Sequence, residues 1–324
     1  MDDKERDCNT GFFKNKNVLI TGGLGFVGSH LIKRLRALGA NLSILSNNSN
    51  PWRLKDEIND IDLNNIDITN GSLVNNCVKS VKPDYIFNLA AYGVNSANNE
   101  YIKAVNVNII GIINILNSIR DIGCKKIINI GSSAEYGDKK KSMRENMCLT
   151  PLNIYGSTKA AATIISHQIA RDNDINIVTL RPFGIFGEGE ERHKFFCDVI
   201  LTLLENKDVE LTKCEQFRDY CYVENIIDGL LLAALSDTAK NEVINIGSGI
   251  SHPLNYYIDL IFKYMETNKK PKYGAIPYRK NEMWNPEPDI TKIKVILGWK
   301  PRVGLEEGIK RTVEWFKENR EHYI

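Results

Sequence analysis

The sequence predicts an α/β fold in which a doubly wound parallel sheet carries most of the chain and a smaller mixed α/β lobe follows it. Short apolar runs alternate with amphipathic helical patterns through the first half, and parallel strands need long crossovers of this kind. The runs are also almost continuously apolar, as in "YIFNLA" and "KIINIG". Strands that are buried on both faces of a sheet are typically composed in this way.

Six strands and four helices are predicted before residue 182. The strands are Val18–Thr21, Asn41–Leu45, Asp62–Ile66, Tyr85–Leu89, Lys126–Ile130 and Asn176–Arg181. The helices are Phe26–Leu38, Ser72–Val81, Tyr101–Ile119 and Tyr155–Arg171. After Arg181 the segments become shorter and prolines gather. We therefore expect residues 1–181 to form the sheet domain and residues 182–324 the smaller lobe, and leave open whether part of the lobe returns to the main sheet.

Composition argues against several functional classes. The 324 residues are 43% apolar and 25% charged, close to the averages for soluble globular proteins, and the formal net charge is +2. A nearly balanced charge argues against nucleic acid or an anionic membrane as the main partner. The longest apolar run, Val105–Ile119, is interrupted by asparagines and too short for a bilayer, and the amino terminus lacks the apolar stretch of a signal peptide.

The cysteines and histidines form no recognisable metal or disulfide framework. Seven cysteines occur without a CxxC pair, which indicates reduced thiols and a cytoplasmic location. His30, His167 and His193 fit neither a metal-ligand spacing nor a catalytic triad. We therefore expect a soluble cytoplasmic protein without a metal site.

Four glycines stand within seven residues of "TGGLGFVG", directly after the first predicted strand and at the start of the first helix. Glycine loses more backbone entropy on folding than any other residue, so the cluster indicates that something approaches the backbone closely. Gly22, Gly25 and Gly28 satisfy G-x-x-G-x-x-G, and Gly23 opens a G-x-G-x-x-G pattern. Between a strand and a helix, such a loop typically cradles the pyrophosphate of a dinucleotide. A tight turn without a ligand is the less favoured alternative.

The residues after the second predicted strand bear on which dinucleotide binds. NAD-binding units usually carry an acid there to hold the ribose hydroxyls. In this chain the segment reads "SILSNNSNPWRLKDE", with Ser46, Asn47 and Asn48 in that region, Arg53 as the nearest cation and Asp56 as the first acid. A missing acid with an arginine nearby favours the extra phosphate of NADP. NAD stays open as the less favoured alternative, in which Arg53 is an ordinary surface residue.

A tyrosine and a lysine four residues apart, Tyr155 and Lys159, open a predicted helix in "NIYGSTKAA" and therefore share one face. A phenol with a pKa near 10 is a poor acid–base group at neutral pH, and an ammonium one turn away is expected to lower that pKa. The fifth predicted strand ends in "INIGSSAEYGD", which puts Ser132 and Ser133 at the carboxyl edge of the sheet. Ligands of doubly wound folds bind at this edge, so these side chains form a candidate catalytic group.

With these motifs the chain resembles, over nearly its whole length, the extended short-chain dehydrogenase/reductase family, and within it the nucleotide-sugar-modifying enzymes of the epimerase/dehydratase type. The segments that carry the resemblance are "TGGLGFVGSHL", "NID", "FNLAAYGVNSA", "AVNVNIIGIINIL", "YGSTK", "LRPFGIFGEGE", "QFRDYCYVENIIDG" and "DITKIKVILGWKPRVGLEEGIKRTVEWF". The resemblance implies a Rossmann domain over residues 1–181 and a nucleotide-sugar-binding lobe over residues 182–324. It also implies a homodimer in which the helices Tyr101–Ile119 and Tyr155–Arg171 of two subunits pair.

The same resemblance implies a role for each matching residue. Tyr155 would exchange a proton at a sugar hydroxyl, Lys159 would tune it and hold the nicotinamide ribose, and Ser132 would hydrogen-bond the reacting oxygen. Together with Arg53, the expected cofactor contacts are Gly22, Gly25, Phe26, Val27, Asp67, Ile68, Leu89, Ala90, Ala91, Tyr155 and Lys159. The implied substrate contacts are Ser133, Arg218 and Arg279, with the two arginines on the diphosphate. The internal helix asparagine of the family is assigned to Asn106, and Phe195 and Phe196 are open between a base-stacking and a core role.

Three reactions run on this frame in the family: 4,6-dehydration, 4-epimerisation and reduction of a 4-keto sugar. Dehydratases need an acid pair directly after the catalytic hydroxyl, where this chain has Ser133 and Ala134, and Glu135 is expected to point away on an extended segment. We expect a reductase that uses NADPH on a 4-keto-6-deoxy nucleotide sugar, because the acid after the second strand is missing and "GSSAEYG" resembles such enzymes. The alternative is a 4-epimerase that retains its cofactor. A non-catalytic dinucleotide sensor is less favoured, because the catalytic residues are all present.

Overall fold

The computed structural model describes residues 11–48, 50–55, 57–93, 100–279 and 282–323. Cys8, one of the seven cysteines, and Asp56, the first acid after the second strand, lie outside these ranges. The described strands are β1 Asn17–Thr21, β2 Asn41–Ser46, β3 Asp62–Asn65, β4 Tyr85–Asn88, β5 Lys126–Ile130, β6 Ile177–Pro182, β7 Gly184–Phe186, β8 Phe217–Arg218, β9 Tyr220–Tyr222, β10 Val243–Ile246 and β11 His252–Pro253.

Seven of these strands form one central sheet in the order β10-β6-β5-β4-β1-β2-β3. All neighbours in it are parallel; Val18 of β1, for example, lies opposite Leu42 of β2 and Tyr85 of β4. The predicted doubly wound parallel sheet is therefore confirmed. Its strand order reverses between β1 and β4, and the carboxyl ends of the strands at such a point are where these folds bind ligands. Strand β10 comes from the second half of the chain and pairs with β6.

Helices cover the sheet and build the lobe. They are α1 Phe26–Ala37, α2 Gly71–Val81, α3 Tyr101–Val105, α4 Gly111–Ile119, α5 Ile154–Asp172, α6 Phe195–Leu204, α7 Val223–Leu235, α8 Leu254–Met265, α9 Thr291–Leu297 and α10 Leu305–Glu318. One π-helical turn, Asn106–Ile110, joins α3 to α4 inside the predicted helix Tyr101–Ile119. The extra residue in this turn changes which side chains of the helix face the interior of the protein, including which of its asparagines does so.

Strand residues point alternately into two cores, one on each face of the sheet. Leu19 and Ile86 are fully buried with residues of α2, α4 and α5. Ile20 and Phe87 are fully buried on the opposite face with residues of α1, α7 and the lobe. Both faces of the sheet are therefore apolar, which explains why its strands read as continuous apolar runs in the sequence.

The helical stretch from α3 to α4 is the one segment among the described residues that has the length and composition of a membrane-crossing helix. Its inner residues, including Ile112, Ile115 and Leu116, are fully buried against the sheet and the neighbouring helices. Tyr101 and Ile102 at its start are exposed by 67% and 75%. Packing within the protein thus accounts for the apolar character of the second half of this stretch and leaves an apolar surface at its start.

Candidate active site

A cavity of about 920 Å³ lies at the carboxyl ends of β1, β4, β5 and β6 and is lined from both the sheet and the lobe. Of the predicted site residues it collects Gly22, Gly25, Phe26, Val27, Arg53, Asp67, Ile68, Leu89, Ala90, Ala91, Ser132, Ser133, Tyr155, Arg218 and Arg279. Lys159 is buried behind this wall, where its ammonium donates to the backbone oxygen of Ile130. One cavity therefore brings together residues that are up to 257 positions apart, counted from Gly22 to Arg279.

The glycine-rich loop brings bare backbone to the start of α1. Gly22 has a φ of +68°, and a Cβ on it would lie 2.8 Å from the backbone nitrogen of Ala90. A Cβ on Gly28 would lie 2.4 Å from the backbone oxygen of Gly22, and one on Gly25, which directly precedes α1, would lie 3.2 Å from it. Side chains are therefore excluded where the amides and dipole of α1 favour a phosphate. This cradle fits the pyrophosphate of a dinucleotide.

An acid reaches the end of β2 from another part of the chain. Asn47, which follows β2, donates through its side-chain amide to Oδ2 of Asp67 at 3.3 Å. Asp67 Oδ1 also accepts the backbone N–H of Thr69 at 2.8 Å, and this bond is the main reason why the pKa of Asp67 lies below its usual value. A carboxylate thus stands beside Asn47 at neutral pH, although the end of β2 itself carries none.

Arg53 lines the cavity but is hydrogen-bonded to protein groups, and its role toward an extra phosphate stays a prediction. Its Nε donates to the backbone oxygen of Gly189 at 2.7 Å and its Nη1 to that of Leu24 at 3.3 Å. Its Nη2 lies 3.6 Å from a carboxylate oxygen of Glu191, and its guanidinium lies 4.3 Å from the ring centre of Trp52. The side chain is only 12% exposed, so the guanidinium is committed to protein partners.

Tyr155 and Ser132 meet at the cavity wall. Helix α5 begins at Ile154 because the side chain of Asn153 caps it, accepting the backbone N–H of Gly156 at 2.8 Å, and this puts Tyr155 in the first turn. Ser132 follows β5 and its Oγ accepts the backbone N–H of Ala134 at 3.1 Å. The serine hydroxyl is hydrogen-bonded to Tyr155 in the sense that favours the phenolate. The arrangement can hold and exchange a proton at one point of the cavity.

Burial dominates the titration of the tyrosine–lysine pair. It raises the pKa of Tyr155 to about 12, with Ser132 opposing the shift and Glu135 adding to it. This is opposite to the expected lowering, because the effect of burial outweighs that of the hydrogen bond with Ser132. Burial likewise lowers the pKa of Lys159 to about 8, against an opposing effect of Glu135.

Glu135 points away from the cavity, as expected, but for a different reason. Residues Ser133–Glu135 form a 3₁₀ turn and not an extended segment. The carboxylate is fully buried, where it accepts the backbone N–H of Ser132 at 2.8 Å and pairs with Arg181 at 2.8 Å. It therefore braces the turn that carries Ser132, and the two positions after Ser132 remain without an acid.

The substrate residues expected in the lobe line the far wall. The guanidinium of Arg218 pairs with Glu282 and donates to the backbone oxygen of Met283 at 2.6 Å, whereas Arg279 is exposed. The two adjacent phenylalanines lie in different surroundings, and base stacking by Phe195 stays a prediction. Phe195 lines the cavity, and Phe196 is fully buried with its ring 4.5 Å from that of Phe186.

The assignment of the helix asparagine to Asn106 is wrong. Asn106 is exposed, while Asn108 is buried and accepts the backbone N–H of Tyr92 at 2.8 Å. Asn108 also donates to the backbone oxygen of Tyr92 at 2.9 Å and to the hydroxyl of Thr158, on α5, at 2.8 Å. Its side chain thus ties the segment after β4 to the helix that carries Tyr155. The π turn decides which asparagine faces inward, and an ideal helical period cannot foresee it.

A family model described as "NAD dependent epimerase/dehydratase family" matches residues 18–247, well over half of the chain. The chain belongs to this family. A UDP-glucuronate 4-epimerase of Thermodesulfobacterium geofontis is 28% identical over 93% of this chain and 96% of its own length. A UDP-glucuronic acid decarboxylase 1 of Xenopus tropicalis is 26% identical over 95% of this chain and 73% of its own length.

Solved structures of family members share the fold throughout. A UDP-glucose 4-epimerase of Thermotoga maritima, solved with UDP-glucose, superposes with a TM-score of 0.88 at 28% identity over 94% of this chain and 99% of its own. A variant UDP-glucuronic acid 4-epimerase of Bacillus cereus was solved in complex with UDP-4-deoxy-4-fluoro-glucuronic acid and NAD. It superposes with a TM-score of 0.84 at 25% identity over 93% of this chain and 99% of its own. The expected nucleotide-sugar-modifying epimerase/dehydratase type is therefore confirmed at the level of the family.

Proposed function

We propose that this protein is a nucleotide-sugar 4-epimerase that works with a resident NAD. One observation carries the proposal: Ser132 and Tyr155 share a single cavity with the glycine-rich loop and with Arg218 and Arg279. The relatives named as 4-epimerases support this reaction over the NADPH-dependent reduction expected from the sequence. The neutral Ser133, which lines the cavity where a dehydratase needs an acid, supports it over dehydration.

Tyr155 is the proton carrier in this reaction. As a phenolate it accepts the proton of the sugar 4-hydroxyl, and as a phenol it returns that proton to the 4-keto sugar. Ser132 hydrogen-bonds the same sugar oxygen and holds it beside the phenol. Lys159, cationic below about pH 8, would hold the ribose of the nicotinamide, whereas the hydrogen bond with Ser132 is what favours the phenolate. A dinucleotide held by the glycine-rich loop would supply the hydride chemistry at C4.

The residues around the end of β2, where the adenosine would lie, favour NAD over NADP. Asp67 places a carboxylate beside Asn47, where it can hold ribose hydroxyls and would repel a 2′-phosphate. Arg53, the cation expected to bind that phosphate, donates instead to Gly189 and Leu24. NAD in the solved Bacillus cereus relative supports the same choice.

The nucleotide sugar enters from the lobe side. Arg218 and Arg279 would hold its diphosphate, and Phe195 at the cavity wall would pack against its base. In this arrangement residues 1–181 hold the cofactor and residues 182–324 hold the substrate. Inversion then requires the 4-keto sugar to turn its other face to the cofactor while the two arginines keep the diphosphate in place.

A homodimer completes the proposal. Ile102 is 75% exposed and Ile164 of α5 is 61% exposed, so the surfaces of α3 and α5 offer apolar side chains to a second copy. Light scattering on the purified protein tests this, with a mass of two chains expected.

A cytosolic location is part of the same proposal and follows from the absence of a cysteine framework in the sequence.

One observation keeps an NADPH-dependent 4-keto-sugar reductase as the second candidate. The end of β2 carries Ser46, Asn47 and Asn48, neutral residues with hydrogen-bond donors, where NAD-binding units usually carry an acid. A 2′-phosphate could be held there if Asp67 were turned away.

The two candidates separate in one pair of assays. The purified protein is incubated with UDP-glucose, UDP-glucuronate or UDP-N-acetylglucosamine without added cofactor, and the products are resolved by chromatography. The epimerase produces the 4-epimer of one of these sugars. The reductase instead produces none, and consumes NADPH absorbance when a 4-keto-6-deoxy nucleotide sugar is added.

A further inference from the structure

We infer that a clasp closes over the glycine-rich loop and retains the dinucleotide between turnovers. The clasp consists of residues 187–191 of the lobe, of the three side chains that hold them, His30, Arg53 and Tyr323, and of Trp52, which packs on Arg53. The inference rests on the proposed function, because only an enzyme that regenerates its own cofactor gains from keeping it.

Three consecutive backbone oxygens of the lobe segment are each held by a different side chain. The oxygen of Glu188 lies 2.8 Å from Nε2 of His30, and that of Gly189 accepts from Nε of Arg53 at 2.7 Å. The oxygen of Glu190 accepts the hydroxyl of Tyr323 at 2.7 Å. The three donors come from α1, from the connection after β2 and from the end of the chain, so the segment is fastened from three directions.

Arg53 fastens this segment to the glycine-rich loop itself. Its Nη1 donates to the backbone oxygen of Leu24, which stands between the loop glycines, while its Nε holds Gly189. A Cβ on Gly187 would lie 3.5 Å from the ring of Phe26, the first residue of α1. The segment therefore lies directly against the amino-terminal end of α1, where the cradle for the pyrophosphate is.

Aromatic rings hold Arg53 in this position. Trp52 lies under the guanidinium, and its ring centre is 5.1 Å from that of His322 and 5.4 Å from that of Tyr323. Arg53 and Glu190 both line the same cavity as Gly22 and Gly25. A dinucleotide seated on the loop is thus bordered by the clasp, and its departure from this side requires these hydrogen bonds to open.

Cofactor retention tests the clasp directly. The wild-type protein, Arg53→Gln, Tyr323→Phe and Arg36→Gln are loaded with NAD and freed of excess nucleotide by gel filtration. The loss of bound NAD during dialysis is then followed by chromatography of the denatured protein. Arg36→Gln is the matched control, because Arg36 on α1 pairs with Asp60 of the same connection that carries Arg53, but is exposed. Unfolding temperatures without NAD show which variants are folded.

We expect Arg53→Gln to lose NAD at least about tenfold faster than the wild type, since charge-assisted hydrogen bonds are lost. Tyr323→Phe should lose it a fewfold faster, and Arg36→Gln at the wild-type rate. The clasp is refuted if the wild type loses NAD as fast as Arg53→Gln, or if neither clasp variant differs from Arg36→Gln. Should Arg53→Gln fail to fold, Tyr323→Phe alone decides.

Failure of the clasp and failure of the proposed function give different results. If the epimer forms only when NAD is added, and all four proteins lose NAD equally fast, the clasp is refuted and the proposed epimerase function stands. If the protein retains NAD and this retention depends on Arg53, but no nucleotide sugar gives an epimer, the clasp stands and the proposed epimerase function is refuted.

Discussion

The cofactor half and the substrate lobe are built in different ways. In the described residues between 11 and 181 the backbone itself makes the candidate site: strands of four to six residues end at one edge, and glycines leave the start of α1 bare. In the lobe the strands β7, β8, β9 and β11 have only two or three residues. Hydrogen bonds from side chains take the place of the strand-to-strand hydrogen bonds that these short strands lack. The carboxylate of Asp219, for example, accepts backbone N–H groups of Ser248, Gly249 and Ile250 at 2.7–3.0 Å.

This difference teaches where specificity can change. A site made by backbone geometry tolerates little variation, so the chemistry of the cofactor half is shared across a family. A lobe held together by individual side chains can be altered one contact at a time, and under the proposed function the choice of nucleotide sugar would be made there. Substitutions in the two regions should therefore affect different kinetic parameters.

The largest effect is expected at Tyr155. Tyr155→Phe removes the proton carrier and should lower kcat by about a thousandfold, the range measured for general acid–base groups. Bound NAD, measured after gel filtration, should stay at the wild-type amount, because the ring remains. Activity within tenfold of the wild type would remove Tyr155 from the mechanism.

The next effect tests the backbone cradle. In Gly28→Ala the new Cβ would lie 2.4 Å from the oxygen of Gly22, so the loop must shift. Overpacking of this kind costs about 1–3 kcal/mol, and we expect NAD to bind roughly tenfold to a hundredfold more weakly by calorimetry. Gly304→Ala is the matched control, since a Cβ there meets nothing within 4 Å. Equal affinity of both variants for NAD would mean that the cradle does not hold the dinucleotide.

A smaller effect is expected in the lobe. Arg218→Ala should raise KM for the nucleotide sugar about tenfold with little change in kcat, because a charge-assisted contact to the diphosphate is lost. Arg302→Ala, which breaks the surface pair of Arg302 with Asp228 in the same half, should leave KM unchanged. If Arg218→Ala instead lowers kcat alone, the contrast between the two regions fails.

The mildest test is the pH profile, which concerns Lys159. Its pKa of about 8 lies below the ordinary value of 10.5, so the protein loses this cation as the pH rises through 8. We expect kcat/KM to fall above pH 8, by at most about tenfold for each pH unit. Stability should respond in the opposite sense, since the unfolded chain binds the extra proton between pH 8 and 10.5 and folding is favoured as that proton is lost. Thermal unfolding over the same range separates the two effects.

The cofactor half could be predicted from the sequence more fully than the lobe. The glycine spacing and the pair Tyr155 and Lys159 are local patterns, and local patterns survive in the fold. The contacts of Arg53 depend on Gly189, far away in the sequence, and the burial of Phe196 depends on how its ring packs against Phe186, so no spacing could foresee them. Asn108 was missed because a single π turn shifts the helix face. Asp67 was expected as a cofactor contact, but its place beside the end of β2 was not foreseen, because it comes from the segment after β3.

The central claim is that the protein inverts C4 of a nucleotide sugar with a cofactor that never leaves it. The most direct test uses the accepted UDP-sugar carrying deuterium at C4, without added NAD, with the products examined by NMR. We predict that the 4-epimer forms and keeps its deuterium at C4, because the hydrogen returns to the carbon from which it came. A product that has lost the label to solvent, or no epimer at all alongside NADPH-dependent reduction of a 4-keto sugar, would contradict the account.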